Sequence, residues 1–457
     1  MSVCVIDECH AGDGEYEAAN LKRNAMRWWV YLILLLSCIG LATACQPQAQ
    51  LSNTVTPDPS EAPTTTAVVQ TTPEITASVS EPQSFVVWMP DQLFPSDNAD
   101  AVTILENQIN SFAATEEDVT IELRRKSSQD VGGILSTLRS ASGVAPGALP
   151  DLTLLRYDDF LAAEQANLLF PFEGLTVNST VSELNETAVQ LATIEGQLYG
   201  LPYLIDVLLA AHTDETLAEQ DISFEQVIEN QLQYASVPNR GSGISEVFWL
   251  QYLAAGGTPL ESGTLTINQQ ALLQVLSFYE ALYQNGLIDD AILNYVSSSD
   301  YLPGLLDGSV DFGIVNSTQF SQLISQSDNL YAGTIPTESG AIISQLNGWI
   351  WVITTGDSQQ QARAGRLVNW LLDVDRQGEY AQALGMLPSR SDTLQEYPPD
   401  GLSLDFIDSL LERAQPPITS AATGNALRAM QTALLSVVRG EVSAREAAQR
   451  AVDQLSG

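Results

Sequence analysis

Cysteine is confined to the start of this 457-residue chain: Cys4, Cys9, Cys38 and Cys45 are the four present, and none follows. A disulfide framework or a cysteine-based zinc site in the body is thereby excluded. Histidine is scarcer, with His10 and His212 only. Cys-His pairs and His-rich metal clusters are therefore excluded from the body, and its many serines show no nucleophile-elbow pattern. No metal, no cofactor and no enzymatic activity are expected. Positive charge is the third shortage, since 18 Lys plus Arg face 56 Asp plus Glu for a formal net charge of −38. Such a surface repels phosphate backbones and anionic headgroups, so nucleic acid is not an expected partner. A solvated acidic exterior accounts for the charge, and a cationic ligand fits it without being required.

Long apolar runs are also rare. Trp28 to Ala44 (WWVYLILLLSCIGLATA) is uncharged and follows Lys22, Arg23 and Arg27. A basic segment, an apolar core and small residues before a cut site form the pattern of an export signal. Ala42, Thr43 and Ala44 ahead of Cys45 resemble a bacterial lipobox, which implies that Cys45 is lipidated and becomes the mature N-terminus. Leu35-Leu36-Ser37-Cys38 fits the same pattern but shortens the apolar core, so Cys45 is preferred. An uncleaved membrane span is the other alternative, at the lower limit of what a bilayer crossing takes, about 20 apolar residues. The body is expected to be extracytoplasmic and held at a bacterial membrane. The preceding residues 1–25 are acidic, whereas Met26-Arg-Trp-Trp opens a compact signal, and Met26 is the expected start. Residues 45–83 are rich in Gln, Ser, Thr, Pro and Ala. They cannot bury enough surface to offset ordering entropy and read as a flexible tether.

Beyond the tether the pattern is α/β. Ser84 to Met89 reads as a buried strand, and Asp97 and Asn98 can cap a helix with Val102, Leu105, Ile109 and Phe112 on one face. Val119, Ile121 and Leu123 alternate as a second strand; a helix through Ile134, Leu135 and Leu138 leads to a third strand at Asp151–Leu155. The resulting βαβαβ unit implies a parallel sheet with ligands beyond its carboxyl ends, where Trp88, Asp91, Arg156 and Tyr157 fall. Later helical stripes run through Leu272, Val275, Leu276 and Tyr279, through Ala364 to Leu372, and through Leu427 to Val438. Ser443 to Glu446 then reads as a capping box for a final helix.

Several segments together resemble the extracellular solute-binding proteins of ABC importers, in the sugar-binding, maltose-binding-protein-like family. They are FLAAEQANLLFPFEGL (Phe160–Leu175), EGQLYGLPYLIDV (Glu195–Val207), LLDGSVDFGIVNS (Leu305–Ser317), NGWIWVI (Asn347–Ile353) and ALGMLPSR (Ala383–Arg390). The resemblance implies a type II periplasmic-binding-protein-like fold, two α/β lobes joined by a multi-strand hinge. Crossings are implied near Tyr203–Asp206, Gly348–Val352 and Pro388–Gln395. The implied organisation is an N-terminal extension and signal over 1–44, a tether over 45–83, lobe one over 84–205 and 350–392, and lobe two over 206–349 and 393–457. Two positions depart from the family pattern: Phe320 stands where a tryptophan is common, and Met-Pro follows the first strand in place of a glycine-rich loop.

A sugar offers apolar ring faces and a rim of hydroxyls, so aromatic platforms, carboxylates, amides and guanidinium groups are the residues to seek. Trp349 matches the ligand-contacting position of the resemblance. Trp351 shares its strand face, and Trp88, Asp91, Arg156, Tyr157, Tyr203, Asp206 and Asn316 complete the candidate set. Trp370 and Trp249 read as helix packing. The function expected is a lipid-anchored monomer that binds a sugar between its lobes and delivers it to permease subunits. Alternatives are a sensor or polyamine receptor of the same fold and, less favoured, a surface glycosidase.

Overall fold

The computed structural model describes residues 83–117, 119–128, 132–176, 178–238, 243–259, 266–418 and 424–456. The apolar block, Cys45 and the tether up to residue 82 lie outside the described residues, and Gln83, the last residue expected of the tether, opens the first strand. Among the described residues no helix is long and apolar enough to cross a membrane.

Strand β1 (Gln83–Pro90) is buried along most of its length, as its run of Phe, Val, Trp and Met requires. The Asn98 side chain then accepts from the Ala101 N–H at 3.0 Å and starts helix α1 (Ala99–Ala113). Leu105, Ile109 and Phe112 form its buried stripe, while Val102 is half-buried. Strand β2 (Val119–Lys126), helix α2 (Ile134–Ala141), strand β3 (Leu152–Arg156) and helix α3 (Tyr157–Gln165) complete the first unit. β1 is parallel to both β2 and β3, the arrangement expected of βαβ crossovers.

A short hairpin, β4 (Thr193–Ile194) and β5 (Gln197–Leu198), leads into β6 (Gly200–His212). The rest comprises β7 (Tyr234–Ala235), α4 (Glu246–Ala254), α5 (Gln269–Gln284), β8 (Phe312–Asn316), α6 (Ser317–Ile324), β9 (Tyr331–Gly333) and β10 (Ser344–Ile353). It continues through α7 (Ser358–Leu371), α8 (Val374–Leu384), β11 (Leu387–Pro388), α9 (Leu404–Glu412), β12 (Ala414–Gln415), α10 (Asn425–Val438) and α11 (Ala444–Ser456).

The main sheet runs β2-β1-β3-β10-β6-β8-β7, with β9 and β11 also paired to β6 and β12 to β10. β10 is antiparallel to both neighbours and fills the space between β3 and β6. The three expected crossing segments meet at Leu204 and Ile205: β10 pairs there through Gly348 and Trp349, and β11 through Leu387 and Pro388. Two features of β6 explain its local form. Gly200 is required by close approach, since a Cβ there would lie 2.3 Å from the Ile350 Cγ2 and 2.9 Å from the Trp351 carbonyl oxygen. Pro202 has no N–H for a ladder, and the register shifts beside it: Trp349 pairs with Leu204 but Ile350 with Pro202, so Tyr203 is the extra residue of a bulge.

Helices cover the sheet around several cores. One gathers Phe85, Leu105, Phe112, Trp351, Leu367 and Tyr380. Another gathers Phe248, Trp249, Leu276, Tyr279, Met430 and Leu434, so Trp249 packs as expected. β6 contributes Leu201 and Tyr203 to the first, Ala210 to the second, and Ile205, Val207 and Leu209 to a third around Phe320, Ile407 and Leu410. Phe320, one of the two departures noted above, is thus core. A buried polar network ties β6 to β11: the Gln377 Nε2 donates to the Tyr203 carbonyl at 2.6 Å and to the Ser389 Oγ at 3.0 Å. The Ser389 hydroxyl in turn donates to the Pro202 carbonyl at 2.7 Å.

Candidate functional site

Neighbouring strands bring a row of side chains onto one floor. β3 ends at Arg156, which pairs with Trp349 of β10; two residues away on β10, Asn347 pairs with Asp206 of β6. Asn316 ends β8 opposite Leu208. Over this floor lies a cleft of about 1340 Å³. The segment after β1 and the first turn of α1 line it with Gln92, Asp97, Asn98 and Asp100. α2 and α3 add Arg139, Asp158 and Asp159, and the start of α6 adds Thr318, Gln319 and Gln322. A chamber of about 240 Å³ shares Arg156, Asp206, Asn316 and Asn347 with the cleft and extends to Glu246, Tyr301 and Gln345.

Asp206 is only 4% exposed, so its carboxylate needs partners. The Thr318 hydroxyl donates to its Oδ1, and the Arg156 guanidinium lies 3.6 Å from its Oδ2. The same guanidinium sits 5.2 Å from the centre of the Trp349 ring, within cation–π range. Asn316 caps α6 reciprocally: its Oδ1 accepts from the Gln319 N–H at 2.8 Å, and the Gln319 Oε1 accepts from the Asn316 N–H at 3.2 Å. The Asn347 Oδ1 accepts from the Gly348 N–H at 2.8 Å. A Cβ on Gly348 would stand 2.7 Å from the Leu204 carbonyl oxygen, so glycine allows β6 and β10 to close on each other beneath the floor. Burial pushes the Asp159 carboxyl up, with the neighbouring Asp158 acting in the same sense and Arg139 and Arg156 against it.

Among the described residues, five aspartates thus line the cleft (Asp97, Asp100, Asp158, Asp159 and Asp206) against the two cations Arg139 and Arg156. Trp349 is the single aromatic side chain among the described lining residues, and it is 2% exposed. Hydroxyl, amide, carboxylate and guanidinium groups dominate. The cleft can therefore exchange many hydrogen bonds with a polar solute but offers little bare ring surface for stacking.

Of the residues expected at a site, Arg156, Asp206, Asn316 and Trp349 line the cleft. The others lie elsewhere. Trp88 is 2% exposed, packs with Leu138, Leu155 and Phe160, and has the Lys126 Nζ 4.6 Å from its ring centre. Asp91 is a turn residue whose Oδ1 accepts from the Ser128 N–H at 3.2 Å. Tyr157 is the half-buried first residue of α3, packed against apolar neighbours, and burial pushes its phenol up. Tyr203 and Trp351 are fully buried, with ring centres 5.5 Å apart, and Tyr203 stacks on Tyr380 at 6.0 Å. Tyr203 therefore faces the core and not the cleft. Period-two alternation does not place it, because Tyr203 is the extra residue of the bulge, and its ring packs beside Trp351. Trp370 is half-buried; its Nε1 donates to the Gln108 carbonyl at 3.2 Å, and the Arg376 guanidinium lies 3.5 Å from its ring centre.

Asn347, Thr318, Gln319, Gln345 and the pair Asp158-Asp159 were not expected. The two aspartates open a helix at a strand's carboxyl end, which is the one local cue available; the others meet only through sheet order. His212 is fully buried at the far end of β6, stacked on Phe312 with ring centres 5.6 Å apart. It lies outside the cleft lining.

A protein family described as bacterial extracellular solute-binding protein matches residues 107–401. No curated protein matches the chain. Among solved structures, the cyclic alpha-maltosyl-1,6-maltose binding protein from Arthrobacter globiformis aligns with a TM-score of 0.65 at 17% identity, covering 82% of this chain and 98% of that one. Maltose-bound MalE3 of T. maritima aligns with a TM-score of 0.61 at 16% identity, covering 82% and 99%. The maltose complex of MalE from Listeria monocytogenes gives 0.61 at 13%, covering 82% and 97%. These likenesses show a shared fold, the periplasmic-binding-protein-like α/β architecture.

Proposed function

Because this chain belongs to the bacterial extracellular solute-binding proteins, we propose that it is the substrate-binding component of an ABC importer, taking a sugar or oligosaccharide into the cleft and delivering it to permease subunits. The observation that carries the reading is the floor itself. A buried carboxylate, a guanidinium and two amides, Asp206, Arg156, Asn316 and Asn347, converge on one cleft from separate strands. Such groups match the donors and acceptors of sugar hydroxyls, and Trp349 lies beneath Arg156 where a displaced guanidinium would bare its ring.

Closure follows from the same layout. We assign 84–205 with 350–392 to one lobe and 206–349 with 393–457 to the other, and the strands meeting at Leu204 and Ile205 to the hinge. A ligand that touches Asp158 and Arg139 on one side and Thr318 and Gln319 on the other favours the closed form, because only there does it make both sets of contacts. The permease then reads the closed pair. Lipidation at Cys45 and a monomeric state complete the proposal, and no turnover of the ligand is part of it.

Calorimetric titration with maltose and maltotriose, paired with small-angle scattering, tests the reading. Binding accompanied by a smaller radius of gyration supports it, and failure of every sugar in a broad library to bind sinks it. The excess of aspartates over arginines and the lack of exposed ring surface favour a second reading, an amine receptor of the same fold. Spermidine in the same titration separates the two.

A further inference from the structure

Away from the cleft, and sharing none of its lining residues, a groove of about 580 Å³ runs between α5 and the short helix Phe224–Glu229. α5 contributes Gln270, Leu273, Gln274, Ser277, Phe278 and Ala281 to it. Their spacing of i, i+3, i+4, i+7, i+8 and i+11 is one helical stripe, about 16 Å or three turns long. A helix presents such a stripe to another helix packed against it, and the small residues Ser277 and Ala281 leave room for one. The floor is firm. Phe224 and Phe278 stack with ring centres 4.2 Å apart and are 9% and 3% exposed, while Ile228 and Leu273 are half-buried against the same core. The short helix is held by a reciprocal cap between Ser223 and Gln226 and by the Phe224 N–H, which donates to the Thr337 carbonyl at 2.8 Å.

Glu225, Glu229 and Glu338 rim the groove, all of them exposed, and no cation lines it among the described residues. Glu225 and Glu229 stand four apart on one helix, where like charges repel, and Glu229 sits at the end whose dipole disfavours an anion. Their placement works against the local structure, and the groove holds no charge to offset it. We propose that this groove docks a basic amphipathic helix of a partner protein, about three turns long, with an apolar stripe on the Phe224 and Phe278 floor and Lys or Arg on its flank to meet the glutamates. An anionic membrane is repelled by this rim, and a second copy of the chain brings the same glutamates to it. The proposal does not depend on what the cleft binds.

Calorimetry of the full-length protein tests it with a peptide of about 18 residues, or five turns, that carries leucine along one helical stripe and lysine elsewhere, beside a scrambled peptide of the same composition. The striped peptide should bind wild type at least about tenfold more tightly than the scrambled one. The triple variant Glu225→Gln, Glu229→Gln, Glu338→Gln should weaken it at least about tenfold. The control triple Glu106→Gln, Glu117→Gln, Glu412→Gln, at exposed positions outside the groove, removes equal charge and should leave the affinity unaltered. Ser277→Arg, exposed in the middle of the stripe, should abolish binding without lowering the thermal midpoint. Equal binding of the two peptides, equal loss in both triple variants, or binding that survives Ser277→Arg overturns the docking groove. Self-association of wild type that Ser277→Arg abolishes assigns the groove to a second copy and overturns the proposal too. Maltotriose affinity should be the same in every variant, so failure of the groove leaves the reading of the cleft intact.

Discussion

The guanidinium of Arg156 at the end of β3 reaches to 3.6 Å from the carboxylate of Asp206 on β6, although β10 runs between the two strands. The pair bridges segments that carry residues of separate cores, and Asp206 is the more deeply buried partner. A solute that pairs with either group joins or displaces this bridge.

Asp206→Ala is therefore expected to weaken maltotriose by at least about tenfold, or 1.4 kcal/mol. The fold should survive, because Arg156 is about one-third exposed and can return to water. Calorimetry with circular dichroism of the same samples checks both halves. Unchanged affinity would restore Asp206 to a purely structural role.

Trp351 provides the converse case. It is fully buried and packs against Tyr203, so Trp351→Ala should cost about 3–5 kcal/mol of stability. Urea melts would show this as a lower midpoint. The affinity of the folded fraction for maltotriose should not change, and a large loss there would place the ring at the site after all.

His212 makes stability depend on pH. Burial holds its pKa down to about 4, against the opposing influence of Asp214 and backbone groups of Ala332, Asp214 and Leu217. The unfolded chain titrates near 6.5, so between these values the unfolded state takes up a proton that the folded state refuses. The stabilisation is complete above pH 6.5 and is lost as pH falls toward 4, by about 3 kcal/mol at the lower end. Denaturant midpoints from pH 7 to pH 4.5 should fall more steeply for wild type than for His212→Phe.

Gly200→Ala should lower stability by about 1–3 kcal/mol, since its Cβ has no room beside Ile350 and the Trp351 carbonyl. Differential scanning calorimetry reads this directly. An unchanged midpoint would mean that β6 and β10 are looser at Gly200 than their pairing indicates.

The first sheet unit was legible because its signals are local. Asn98 as a cap, the stripe from Leu105 to Phe112 and the alternation of β2 all arise within one element. The position of β10 was less so: it comes from long after β3 in the chain yet lies next to it, and no pattern in Ser344–Ile353 announces its neighbours. Asn347, Gln345 and Thr318 escaped for the same reason, being single polar residues whose partners belong to other strands. The aromatic candidates went astray through composition. Trp88, Tyr203 and Trp351 have the residue types of a sugar platform, but a large ring stabilises more by filling a core, and that is where all three lie.

β10 occupies the place between β3 and β6, with β6 completed long before β10 begins. In chain order β3 and β6 both precede β10, so the slot between them, about 10 Å wide or two strand spacings, has no strand to fill it until Ile353 has been made. The central ladder cannot form before then, so the two halves of the sheet are joined only late in the chain.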